Sequence, residues 1–304
     1  MGGLLNATFG NAAELILALI ALRKGLHDVV KASLTGSIIG NVLLVLGAAC
    51  LAGGLRFNIQ RFNSSGARSQ ASMLFLAAIA LIMPAGFHYF GGAQARLQEA
   101  GLSLEISLVL LATYFASLLF SLRTHRQLFQ SSKSIEEAES HAPWSTARAF
   151  TVLGVSTAMI AWMSEVLVGS VEQAAHAFGM TSVFVGVIVV AIVGNAAEHS
   201  TAILMAMKNR MDLAIGIAIG SSVQIAVFVA PFLVLASYVV GPRPMDLVFT
   251  PAEVAAVGLA IAITSQIAGD GETHWLEGVQ LLAVYIILGI VFYFLPETAL
   301  TVNP

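Results

Sequence analysis

The sequence predicts an all-α polytopic membrane protein of about nine transmembrane helices, folded as an inverted repeat. Three observations predict this. The 304 residues are 58% hydrophobic and only 10% charged, with mean hydropathy +0.87, far from the make-up of an ordinary soluble domain. Apolar runs of spanning length follow one another with short breaks. A five-residue word, Gly10-Asn11-Ala12-Ala13-Glu14, recurs as Gly194-Asn195-Ala196-Ala197-Glu198.

The spans are read from run length and from the charges, Gly and Pro that interrupt them. They fall at 2–22, 29–53, 71–91, 103–122, 148–173, 181–207, 212–239, 247–268 and 276–295. The long break after the fourth contains Ser134-Ile135-Glu136-Glu137-Ala138-Glu139-Ser140. A short interfacial helix capped by Ser134 fits there, either as a solvated linker or as a cation-sensing element. The chain thus divides into a first, incomplete repeat at 1–122, a cytoplasmic linker with an acidic helix at 123–147, and a second, inverted repeat at 148–304.

Threading the nine spans back and forth sorts the 14 Lys and Arg into two sets. Arg56, Arg61, Arg68, Arg123, Arg126, Lys133, Arg148, Lys208 and Arg210 lie on one side, and Arg23, Lys24, Lys31, Arg96 and Arg243 on the other. The larger set marks the cytoplasmic side.

Laying 10–37 on 194–221 without a gap matches the whole word, then Ala18/Ala202, Lys24/Lys208, Asp28/Asp212, Gly36/Gly220 and Ser37/Ser221. In so apolar a chain the matched polar residues carry the argument. Five spans separate the two copies, an odd number, so the second enters the membrane upside down. Inverted repeats place a substrate site near the midplane and expose it alternately to the two faces. Span 148–173 has no counterpart in the first half, so the chain is expected to be truncated at its N-terminus.

An unpaired carboxylate inside a bilayer costs roughly 3 kcal/mol or more, so Glu14 and Glu198 need a partner. On a helix Gly10, Asn11 and Glu14 share one face, as do Gly194, Asn195 and Glu198. The glycines let another backbone approach or leave a carbonyl free. The following spans add Ser33, Ser37 and Asn41 at four-residue spacing, and Ser221, Ser222 and Gln224. Carboxylate, carboxamide, hydroxyl and carbonyl oxygens without thiolate suit a hard cation, and calcium accepts such an irregular set better than magnesium. Without the cation, two close carboxylates take up protons, so one site holds either cation or protons. Competition at one alternately exposed site gives antiport.

Glu165, in span 148–173, reads equally as a proton relay or as half of a structural pair. His199 adjoins Glu198 and has the chemistry of a proton relay, although it points off the Glu198 face. The single Cys50 excludes a disulfide framework and a Cys-based metal site. No basic tract suits nucleic acid, and neither a His-Glu-x-x-His word nor a nucleophile with a base suggests an enzyme. No cofactor is implied beyond the transported cation.

The paired words, Lys31-Ala32-Ser33-Leu34-Thr35-Gly36-Ser37, the stretch Asp212 to Pro231 with Gly220-Ser221-Ser222-Val223-Gln224, and Asp270-Gly271-Glu272-Thr273-His274-Trp275-Leu276-Glu277-Gly278 resemble the cation/proton exchanger branch of the calcium/cation antiporter superfamily. The resemblance covers essentially the whole chain. It implies a calcium/proton antiporter with an inverted five-plus-five core preceded by one helix, with this chain starting at the third helix. It implies Glu14 and Glu198 as carriers of cation and protons, and Asn11, Asn195, Ser37, Ser221 and Gln224 as oxygen ligands. Sodium-coupled relatives carry a Gly-Thr-Ser-x-Pro-Glu or Gly-Thr-Ser-x-Pro-Asp word instead. Sodium- or potassium-coupled exchange, and a non-transporting or channel-like membrane protein, are the alternative readings. The setting expected is a prokaryotic inner membrane, with the lipid bilayer as surroundings.

Overall fold

The computed structural model describes residues 10–92, 96–125 and 145–295. Ten helices and one pair of two-residue strands make up the described chain, in the order α1 Ala12–Arg23, α2 His27–Gly54, β1 Gln60–Arg61, α3 Ser64–Phe90, α4 Glu99–Thr124 and α5 Thr146–Phe178. Then come α6, built from Ser182–Phe184, Val185–Val190 and Ala191–Gly194, followed by α7 Ala196–Met207, α8 Met211–Val240, α9 Pro251–Ile267, β2 Glu272–Thr273 and α10 Trp275–Phe294. The acidic helix expected at 134–140 lies outside the described residues.

Six helices, α2, α3, α4, α5, α8 and α10, are long and apolar enough to cross a membrane, and the bent pair α6–α7 makes a seventh candidate. The protein is therefore a multi-pass membrane protein. One expected span comes out shorter. The run 247–268 gives a helix of only 17 residues, Pro251–Ile267, because Pro244 to Thr250 stays non-helical. Pro251 at the first helical position and a Thr250/Glu253 capping box fix where α9 starts. Of the run 2–22, the described part gives the 12-residue α1.

The core is built from α2 and α8, whose faces are buried over most of their length, whereas α4, α5 and α10 expose apolar flanks. Such flanks, for example Phe150, Met159 and Trp162 on α5, suit hydrocarbon. The second part of α2 packs on α10 and α7, α1 on α5, α9 on α3, and α4 on α8. α2 and α6 cross with almost no space between backbones: a Cβ at Gly36 would lie 2.1 Å from the Val187 carbonyl oxygen, and one at Gly186 would lie 2.7 Å from Ala32 Cβ. Small residues at a crossing permit this approach.

The recurrence seen in the sequence has a backbone counterpart. α2 opens into a π-helical turn at Gly40–Val45, and α8 does so at Ile225–Val229, 184 positions on from 41–45. Each turn inserts a residue into the helical ladder just after the matched Ser37/Ser221, a place where such bulges re-aim neighbouring side chains.

Candidate functional site

The two words do not sit inside continuous helices as expected. α6 ends at Gly194, Asn195 adopts a non-helical conformation (φ −98°, ψ 9°), and α7 departs at 62° to α6. Asn11, with φ −103° and ψ 32°, stands in the same position before α1. Each Asn thereby becomes the residue ahead of a helix whose first turn carries the Glu, Glu14 in α1 and Glu198 in α7. Helix N-termini favour negative charge, and a broken helix also frees carbonyl oxygens at membrane depth, tolerated where protein covers them.

Gly194 therefore does not share a helical face with Glu198; it closes the preceding helix, is half-buried, and a Cβ there would meet nothing within 4 Å. Gly10 is exposed. The close backbone approach expected at Gly194 is absent; such an approach occurs at Gly36 and Gly186, where α2 passes α6.

The remaining predicted ligands are brought together across the halves. Asn11 donates through Nδ2 to Gln224 Oε1 at 2.7 Å, and accepts at Oδ1 from the Ser221 hydroxyl at 2.6 Å. Asn195 donates through Nδ2 to Ser37 Oγ at 3.0 Å and to the Ala191 carbonyl at 2.8 Å. Each Asn of one word is thus bound to the serine that follows the other word. Ser221 also lies against the Glu198 carboxylate, and the Glu14 and Glu198 carboxylates are near enough to act on each other electrostatically. Asn11, Glu14, Ser37, Asn195 and Ser221 are buried, while Glu198 and Gln224 are half-buried.

Three oxygens in this group, Glu14 Oε2, Glu198 Oε2 and Asn195 Oδ1, are buried without a hydrogen-bond partner among the described residues. Leaving a buried acceptor unpaired costs about 1–3 kcal/mol, more for a carboxylate. The set is two carboxylates with carboxamide and hydroxyl oxygens; no cluster of three or more His, Cys, Asp and Glu is found among the described residues.

Asn41 was not among the predicted ligands. It is 1% exposed and neither Nδ2 nor Oδ1 has a partner. Its four-residue spacing from Ser37 was the signal available in the sequence. Glu165 lies on the exposed face of α5 beside Trp162 and Met163 and is not brought to the carboxylate pair. His199 is half-buried in the first turns of α7, next to Glu198.

A bundle with several helices long and apolar enough to cross a membrane, which brings two carboxylates together in its interior, defines a multi-pass membrane protein with a polar centre. The chain belongs to the sodium/calcium exchanger protein family, whose profile matches residues 1–123 and 148–294. It is 46% identical over 308 residues to the Ca(2+)/H(+) antiporter of Aphanothece halophytica, covering 97% of this chain and 82% of that protein. Identity to the Ca(2+)/H(+) antiporter ChaA of Bacillus subtilis strain 168 is 46% over 297 residues, covering 97% and 84%. The solved structure of native YfkE superposes with a TM-score of 0.81 at 42% identity, covering 97% of this chain and 84% of that one.

Proposed function

We propose that the protein is a secondary active antiporter that exchanges calcium for protons, with Glu14 and Glu198 alternately holding the cation or protons. The observation that carries this reading is the trio of buried, unpartnered oxygens on Glu14, Glu198 and Asn195. Relatives named as Ca(2+)/H(+) antiporters at 46% identity support the same reading, and point to a bacterial plasma membrane.

The chemistry follows from the donor set. Two carboxylates balance one divalent cation, and Asn11, Asn195, Ser37, Ser221 and Gln224 offer neutral oxygens that can replace part of its hydration shell. When the cation leaves, two carboxylates facing each other in a low-dielectric interior repel and lose solvation, and protons relieve both costs. Cation binding then expels those protons. The halves carry the words in opposite orientations across the membrane, as the odd number of intervening spans requires, so rocking one against the other opens the shared site to each face in turn. Protons moving down their gradient thereby drive calcium the other way.

Sodium-coupled exchange is the second reading, kept because of the family to which the chain belongs. The Asn after each Gly, and the absence of Pro before each Glu, favour protons. Reconstituted protein is tested by imposing a pH gradient and following calcium uptake and internal pH together in sodium-free medium. Calcium entry with matched proton exit, lost in Glu14→Gln and Glu198→Gln, is the expected result. Calcium flux that requires sodium, or flux without proton movement, would overturn the proposal.

A further inference from the structure

A second set of buried ionisable groups lies apart from Glu14 and Glu198. Residues 241–250 run without helix between α8 and α9, and Met245, Leu247, Val248, Phe249 and Thr250 are buried. Irregular backbone inside a bundle needs its polar groups satisfied from elsewhere. Ser237 accepts from the Met245 amide at 2.8 Å and Ser103 from the Leu247 amide at 2.9 Å.

This strap is fastened to α2 of the other half. The Lys31 ammonium, 6% exposed, donates to Asp246 Oδ1 at 2.6 Å and to the Val248 carbonyl at 2.8 Å. Arg243 donates to His27 Nδ1 at 3.0 Å. One turn deeper, Glu253 accepts from Thr35 Oγ1 at 3.3 Å, and from the Thr250 amide and hydroxyl at 3.0 and 2.8 Å. Lys31 acts on the Glu253 carboxylate, which in turn acts on Tyr89 at the end of α3. Thr35 is two residues from Ser37.

The other half lacks these charges at the matching positions. In the gap-free register Lys31 falls on Ile215 and Thr35 on Ile219, and α3, unlike α9, has no acidic residue in its first turn. There α8 is tied by the half-buried Asp212, which accepts from the Asn63 amide.

We propose that Lys31, Asp246 and Glu253 are positioning residues of the exchange cycle, a fastening that shuts the path at the strap end and parts each time the site opens there. The proposal rests on the exchanger reading above. Apolar residues in a closed interior are at least as stable as a buried ion pair. Charged partners differ in regaining hydration when they separate, which lowers the energy of the opened state.

Two experiments in a Cys50→Ala background test it. With Lys31→Cys and Asp246→Cys joined by a short bifunctional thiosulfonate, exchange is expected to fall at least tenfold and to return on reduction; undiminished exchange by the cross-linked protein overturns the proposal. The second reads access without transport. In Ser37→Cys protein, adding Asp246→Asn is expected to raise labelling by an impermeant thiol reagent several-fold from the strap side and not from the other. Unchanged labelling overturns the fastening. Raised labelling in a protein whose Ser37-intact form shows no calcium/proton exchange upholds the fastening and overturns the exchanger reading instead.

Discussion

Asn195 and Ser37, 158 residues apart, are joined at 3.0 Å from carboxamide nitrogen to hydroxyl oxygen. The contact links the second word to the helix that follows the first, and Ser221 with Asn11 forms the reciprocal contact at 2.6 Å. Because Nδ2 is engaged by Ser37 and Ala191, Oδ1 of Asn195 is held in place with its lone pairs open. Asn195→Ala removes both a proposed oxygen ligand and the tie to Ser37. Its calcium KM in vesicle uptake should rise by at least tenfold, and adding Ser37→Ala should cost less than the two single effects combined, as expected for residues acting through one contact.

Proton competition sets the pH dependence. If one set of carboxylates holds either species, lowering pH at the calcium-loading face raises the apparent calcium KM, by about tenfold per pH unit for each proton displaced. Initial uptake rates at several loading pH values, with the opposite face fixed, measure this. A KM indifferent to loading pH contradicts competition.

Gly36 is required by space. Its Cβ position lies 2.1 Å from the Val187 carbonyl oxygen, so Gly36→Ala forces α2 away from α6 and should destabilise the protein by about 1–3 kcal/mol. Thermal unfolding in detergent reads the loss. Gly86→Ala, inside α3 where a Cβ meets nothing within 4 Å, should leave the transition unchanged or raise it slightly.

Asn41 separates stability from function. Both of its side-chain polar atoms are buried and unpaired, an arrangement that costs stability. Asn41→Leu should therefore raise the unfolding temperature while weakening calcium uptake. A variant less stable than the parent, with uptake intact, would assign Asn41 to packing.

The sequence reached the site further than it reached the backbone around it. Asn11, Glu14, Ser37, Asn195, Glu198 and Ser221 stood out because polar residues are scarce in spanning runs and these match at one offset, whereas Gln224, which falls on Gly40 in that register, stood out by its three-residue spacing from Ser221. The bend at Asn195 was hidden: the apolar run 187–193 before it and the helix-forming Ala196 and Ala197 after it read as one span, and no Pro marks the break. For the same reason Gly194 was read as a helix-face residue when it ends a helix. The π-helical turns left no mark in Gly40–Val45 or Ile225–Val229, since hydropathy does not register one inserted residue in a run that is mostly apolar. The start of α9 was legible in principle, from Thr250-Pro251-Ala252-Glu253, but the apolar residues before it drew the predicted span too early. Glu165 was a fair candidate by depth alone; its direction from α5 depends on which neighbour that helix packs against, a tertiary fact.

The most direct test of the central claim counts protons released when calcium binds. The purified protein in weakly buffered detergent solution is titrated with calcium while a pH indicator follows release, alongside Glu14→Gln and Glu198→Gln. The account predicts protons released in proportion to calcium bound by the parent protein, with both release and binding sharply reduced in each variant. Calcium binding with no proton release, or the same release in either variant, would contradict it.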